Sequence, residues 1–163
     1  MGRLLRHLFF LPGTLARAFP ADTLAAIEQA IAAAERRHGG QIRFAVEGAL
    51  EVGELLRGRT ARERAVEVFS SLRVWDTEAN NGVLLYLLLA DRDVEIVADR
   101  GYNGRVSPAQ WEEACRAMER SLAAGRFEEG IVAGVGRIAE LAARHFPPRA
   151  APPDELDNRP AVL

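Results

Sequence analysis

Apolar and polar positions fall into separate patterns along this chain, and each pattern predicts an element. An unbroken apolar run at 83–89 (VLLYLLL) is released by Asn81-Gly82 and ended by Asp91-Arg92. Seven residues are too few to cross a membrane, and the run fits a strand buried on both faces. Residues 93–98 alternate instead, with Val94, Ile96 and Ala98 on one side and Asp93 and Glu95 on the other. A half-exposed strand paired antiparallel to the first, as a hairpin, is the predicted arrangement.

Upstream, Asp22 precedes a helical stripe of Leu24, Ile27, Ile31 and Ala34 that ends at Gly39-Gly40. Residues 41–47 alternate on Ile42, Phe44 and Val46, which predicts another strand. A polar, glycine-punctuated connection fills 48–59. Thr60 and Glu63 then form a capping box for a helix whose stripe is read as Ala65, Val66, Phe69 and Leu72. Strand, helix and strand at this spacing predict a right-handed βαβ crossover. After the hairpin, Ser107, Pro108 and Gln110 open a helix carrying Trp111, Ala114, Cys115, Met118 and Leu122 on one face. Cys115 therefore reads as a small core residue. A last helix begins near Phe127, with Gly130, Gly134 and Gly136 as close-approach positions.

The ends of the chain differ from this middle. Residues 1–18 are basic and apolar, and support two readings. One is a segment that docks its leucines on the domain or on a membrane interface. The other is a secretion signal, since Ala16-Arg17-Ala18 has the small-x-small form of a cleavage site. The predicted location is cytoplasmic and peripheral to the membrane, with export as the alternative if residues 1–18 act as a signal. Residues 19–146 form the single domain, and the proline-rich residues 147–163 read as a disordered tail.

Composition removes whole classes of function. All 21 basic residues are arginine, so lysine Schiff-base chemistry and a Walker-A phosphate loop are excluded. With a net charge of −2 and no nucleic-acid-binding motif, no nucleic acid is expected as partner. One cysteine excludes an intrachain disulfide, and His7, His38 and His145 lack metal-site spacing. No nucleotide or organic cofactor is expected.

The remaining chemistry lies in carboxylates. Antiparallel pairing of the hairpin would gather Asp76, Glu78, Asn80, Asn81 and Asp99 at one end of the sheet, beside Arg100 and Tyr102. Oxygen ligands of this kind suit Ca²⁺ or Mg²⁺, although Asp and Asn also favour such loops as caps and turn residues. Asp91 and Asp93, at the opposite end, form the alternative site, where a tight turn leaves little room.

The order GGQIRFAVE, ARERAVEVFSSLRVWD, NNGVLLYLLLADRDVEIVADRGYN and GRFEEGIVAGVGRI resembles the TPM-domain family. This family comprises the thylakoid-lumen photosystem II repair proteins and their bacterial relatives. The most specific parts of the resemblance are Asn80-Asn81-Gly82-Val83-Leu84, the Asp91-Arg92 turn and Gly125-Arg126-Phe127 with Gly130. The resemblance implies a three-layer α/β/α sandwich around a small mixed sheet, with one βαβ crossover and a central hairpin. It also implies divalent-cation binding and the acid-phosphatase activity attributed to plant members. In that second role Asp76, Asn80 and Asp99 would hold the cation and Arg100 the phosphate. The family's glycine-rich segment after the hairpin reads here as residues 98–103, including Gly101, and Ser107-Pro108 replaces an aspartate common at the next helix start. The leading reading is an interaction or assembly module with little or no enzymatic activity. A LemA-type membrane protein, often encoded beside bacterial relatives, is the expected partner, and the chain has no transmembrane span of its own.

Overall fold

A computed structural model of the chain describes residues 2–148 and 155–163. Its centre is a mixed four-stranded sheet in the order β3-β2-β1-β4. The strands are β1 (Gln41–Glu47), β2 (Gly82–Leu88), β3 (Asp93–Ala98) and β4 (Ala161–Val162). β1 and β2 run parallel with Phe44 opposite Leu85, and β3 returns antiparallel to β2 with Ile96 opposite Leu85. The helices are α1 (Arg3–Leu8), α2 (Thr14–Ala18), α3 (Ala21–Glu35), α4 (Val52–Leu56), α5 (Ala61–Ser71), α6 (Pro108–Ala123) and α7 (Phe127–Ala143).

The period of two in the strands divides the core. Ile42, Phe44 and Val46 of β1 and Val83, Leu85 and Leu87 of β2 pack with α3, α6 and α7. Leu84, Tyr86 and Leu88 face the other way, onto Ala61, Ala65 and Val68 of α5. The three-layer α/β/α sandwich and its βαβ crossover are therefore present as expected.

Several helix details differ. Pro20 stands at the N-cap of α3 and Asp22 lies inside the first turn, where a carboxylate meets the positive end of the helix dipole. The Thr60–Glu63 and Ser107–Gln110 capping boxes form as read. On α5, however, Val68 is buried and Val66 exposed, because the face towards the sheet runs through Ala61, Ala65 and Val68. The connection 48–59 contains α4, whose box is closed by Glu51 and Glu54. Gly130 and Gly134 permit close approach of α6: a Cβ at Gly134 would lie 2.0 Å from Met118 Sδ. Gly136 does not share this role, since a Cβ there would meet nothing within 4 Å.

The largest departures are at the two ends. Residues 149–154 of the expected tail lie outside the described residues, but 155–163 run along the sheet rather than away from it. Gln41 Oε1 accepts from the backbone N–H groups of Glu155 and Leu156 at 2.9 and 3.1 Å. Leu156 enters the α5-side core, Arg43 donates to the Asp157 carbonyl, and Ala161 pairs with Ala45. Composition reads this stretch as solvated because its anchors lie on β1, far away in sequence. Deleting residues 155–163 should cost about 2 kcal/mol through loss of the Leu156 side chain and strand pairing. The thermal midpoint should fall by about 4–8 °C, and an unchanged midpoint would show that the segment contributes nothing to the fold.

Candidate functional site

Hairpin pairing brings the loop before β2 and the loop after β3 to one end of the sheet. Asp99 N–H donates to the Gly82 carbonyl and Gly101 N–H to the Asn80 carbonyl, both at 2.9 Å. Asp99 caps the short 3₁₀ turn Arg100–Tyr102, its Oδ1 accepting from Arg100 N–H at 2.7 Å. Arg100 Nε donates to Asn80 Oδ1 at 3.0 Å. Asn80 adopts a left-handed conformation (φ 51°), which its short amide side chain tolerates better than most.

Beneath this loop pair lies a buried polar layer. Asn81 takes a hydrogen bond from neither side at its Oδ1, while its Nδ2 donates to the Gly39 carbonyl at 2.6 Å. Tyr102 O–H donates to the Asn81 carbonyl at 3.2 Å, and burial raises the pKa of this phenol. Asp99 Oδ2 is the second buried oxygen here without a hydrogen-bond partner. Gly82 and Gly101 are required sterically: a Cβ would lie 2.0 Å from the Val74 carbonyl oxygen at the first, and 2.3 Å from that of Asn80 at the second.

The predicted cluster is thus assembled only in part. Asn80, Asn81, Asp99, Arg100 and Tyr102 come together. Asp76 instead pairs with Arg73 at 2.5 Å and lines a cavity of about 260 Å³ shared with Arg43 and Asp157. Glu78 is exposed, and its N–H donates to Glu155 Oε2 at 2.6 Å. Among the described residues, no three Asp, Glu, His or Cys side chains converge on one point. Asn81 Oδ1 and Asp99 Oδ2 are both buried and unpartnered, but the hairpin register puts Asn81 on the sheet face of Val83 and Asp99 on that of Leu84 and Val97, so any fit to a hard cation rests on one or the other. Both are oxygen donors of the type Ca²⁺ and Mg²⁺ prefer, with backbone carbonyls and water available to complete a shell.

The opposite end of the sheet is taken up by the N-terminus. Asp91, with its side chain only 7% exposed, receives Arg3 Nε at 2.7 Å and Arg6 Nη2 at 2.8 Å. His7 Nε2 lies 3.1 Å from the same carboxylate, and His7 Nδ1 accepts from Leu50 N–H at 3.0 Å. Burial by itself would raise the Asp91 pKa, but the hydrogen bonds and charges of Arg3 and His7 outweigh it and hold it below the usual range. Asp91 is therefore an anchor for α1. Asp93 points elsewhere, into a groove along the outer edge of β3. The spacing of Arg3, Arg6 and His7 on one helical face was the available signal for this anchor, but nothing local identifies Asp91 as its target.

With this geometry, the chain belongs to the TPM-domain family: the family model described as TPM domain matches residues 14–141. It is similar to the BA42 protein of the psychrophilic bacterium Bizionia argentinensis, known from an NMR structure. The two share 31% identity over 88% of this chain and 94% of that one, with a TM-score of 0.75. The N-terminal domain of a P. gingivalis protein shares the fold at 16% identity, with 79% of each chain covered and a TM-score of 0.63. Among curated proteins, none matches the chain.

His38, next to the Gly39 that receives Asn81, is fully buried, and its Nδ1 accepts from Gly40 N–H at 3.0 Å. Burial, then the Arg37 charge, lowers its pKa to about 4. A lowered histidine pKa means that the unfolded chain takes up the proton first. The stability from neutral His38 is thus complete above about pH 6.5 and is lost as pH falls towards 4. Urea unfolding at pH 7 and pH 4.5 should differ by about 2 kcal/mol more in the parent than in His38→Asn. Equal pH dependence in the two proteins would remove His38 from this role.

Proposed function

We propose that this TPM-domain protein is an interaction module that sits on an anionic membrane surface, its N-terminal face against the lipid. The observation that carries this reading is the inverted orientation of α1. Its charged side, Arg3, Arg6 and His7, turns inward onto Asp91, while Leu4, Leu5 and Leu8 turn to solvent with Phe9 and Leu11. A helix docked on a soluble domain ordinarily does the reverse. Val52 and Leu56 of the adjacent α4 are exposed as well. Together these make up seven of the eleven exposed large apolar residues described, too concentrated to be scattered surface leucines.

Charge beside the patch favours lipid headgroups. Arg6, Arg17 and Arg92 line an adjoining cavity of about 590 Å³ with Phe9, Phe10 and Leu11, and no carboxylate lines it. Among the described residues, Arg17 and Arg92 form no ion pair. Basic residues flanking an exposed apolar face are the composition of interfacial helices. No described helix is long and apolar enough to cross a membrane, so attachment would be peripheral or through a membrane partner such as a LemA-type protein. The location is then the membrane surface, whichever compartment it faces.

Vesicle co-sedimentation tests the reading. Phosphatidylglycerol-containing vesicles should bind the chain and phosphatidylcholine vesicles should not. Phe9→Ser with Leu11→Ser should weaken binding by about tenfold or more. Equal partitioning of parent and variant would sink the proposal.

A second reading has its own support in the unpartnered buried oxygen of Asp99. We infer that a divalent cation could be held there by Asp99 Oδ2, with loop carbonyls and water, next to the exposed guanidinium of Arg100. When bound, it would supply a positive centre able to polarise a phosphoryl oxygen. Arg100 would add planar N–H donors for the remaining oxygens. Tyr102 O–H is committed to the Asn81 carbonyl, and His38, which flanks Gly40 beside that hydroxyl, is fully buried with its Nδ1 accepting from Gly40 N–H, out of reach of a phosphate held by the exposed Arg100. The cation reading therefore favours binding over hydrolysis. Calorimetric titration with Ca²⁺ should show a heat that Asp99→Asn reduces about tenfold in affinity and Asp91→Asn leaves alone. Loss of binding in Asp91→Asn only would move the site to the other end of the sheet.

A further inference from the structure

β3 is the open edge of the sheet, with β2 on one side and no strand on the other among the described residues. In an antiparallel ladder the two sides alternate by residue. Asp99 N–H turns inward to Gly82, so Val94, Ile96 and Ala98 present their N–H and C=O groups outward. Side chains meet two of these groups where a strand would otherwise do so. Glu119 Oε1 accepts from Val94 N–H at 3.3 Å, and Arg62 Nη1 donates to the Ile96 carbonyl at 2.6 Å. The two caps reach over from opposite layers, Arg62 from the start of α5 and Glu119 from α6. Between them a groove of about 800 Å³ follows the strand, with Ile96, Trp111 and Cys115 among its walls.

The groove is acidic. Asp93, Glu95, Glu112 and Glu119 line it against Arg62 and Arg116. Arg62 lies 3.3 Å from Glu95 and Arg116 lies 3.2 Å from Glu112, and no described ion pair engages Asp93 or Glu119. Burial, then the charge of Asp91, raises the Asp93 carboxyl. Burial also raises that of Glu119 despite its hydrogen bond from Val94, and Asp93 adds to the rise. Both groups would gain from a cation brought into the groove.

We propose that this groove receives an extended peptide segment of a partner, which adds to β3 as a further strand. The segment would place apolar side chains against Ile96 and Trp111, and an arginine or lysine against Asp93 and Glu119. Backbone pairing would replace the Arg62 and Glu119 caps and supply affinity, while the carboxylates select a basic sequence. A second copy of this chain fits poorly, because its own β3 would bring Asp93 and Glu95 against like charges. The proposal is independent of the N-terminal face: Asp91, which anchors that face, is two residues from Asp93, but the residues lining the two cavities do not overlap.

The test is a fluorescence-anisotropy titration of the full chain with a short labelled peptide alternating valine and lysine. Saturable binding is expected, with the Val94 and Ala98 amide resonances shifting and no binding of the matching valine–glutamate peptide. Asp93→Asn with Glu119→Gln should weaken binding about tenfold or more, and so should N-methylation of the peptide amides on the side that pairs with β3. The methylated peptide keeps the test decisive if the double variant unfolds. Absence of saturable binding, equal binding of the glutamate peptide, or indifference to N-methylation would overturn the proposal, leaving Arg62 and Glu119 as guards against edge pairing. Dimerisation of Arg62→Ala with Glu119→Ala in the absence of peptide binding would also overturn it, in favour of a second copy.

Discussion

Two-sided burial of β2 is the constraint on which the rest of the structure depends. All seven residues from Gly82 to Leu88 are buried, so neither face of the sheet can be left to solvent at this strand. Each fully buried leucine or aromatic side chain contributes roughly 1.5–3 kcal/mol relative to exposure, which requires a helical layer on both sides. Tyr86 brings a hydroxyl into this apolar strand and must find a partner. Its O–H donates to Glu47 Oε2 at 2.7 Å, and Arg64 grips the same carboxylate through Nε and Nη2 at 2.8 and 3.0 Å. The three groups satisfy one another, and the bidentate pair offsets much of the cost of burying a charge between sheet and α5.

The chain ends are held by polar hubs instead of by apolar packing alone. Asp91 in the hairpin turn collects α1, and Gln41 at the start of β1 collects residues 155 and 156. Phe10 and Leu15 add apolar contact with the main core. Because α1 spends its charged side on Asp91, its leucines have no place in the domain. The exposed apolar face is thus a direct consequence of where one carboxylate sits. The same turn separates Asp91 from Asp93, two residues on, which enters the edge groove and forms no ion pair among the described residues.

Three surfaces follow from one sheet: an apolar, arginine-flanked face at the hairpin end, a loop pair with two unpartnered oxygens at the other, and an acidic groove along the β3 edge. They rest on different elements and can act separately. Membership of the TPM-domain family sets the architecture in which these surfaces occur, and the chain's own side chains decide their character.

Local physics made most of the framework legible in the sequence. The apolar run of β2, the alternation of β1 and β3 and the Thr60 and Ser107 boxes each depend on neighbours a few residues away, so they can be read without the fold. The gathering of Asn80, Asn81 and Asp99 was legible for a similar reason, because hairpin register dictates which loops meet. Tertiary structure alone decided the rest. Val66 and Val68 are the same residue type, and only the direction of the sheet buries one and exposes the other. Asp76 turns to Arg73 and the tail, away from Asp99, although spacing along the chain allowed both. The pairing of Asp91 with Arg3 spans 88 residues, and that of Gln41 with Leu156 spans 115. No local pattern encodes such contacts, since a carboxylate or an amide looks the same in sequence whichever distant partner the fold delivers to it.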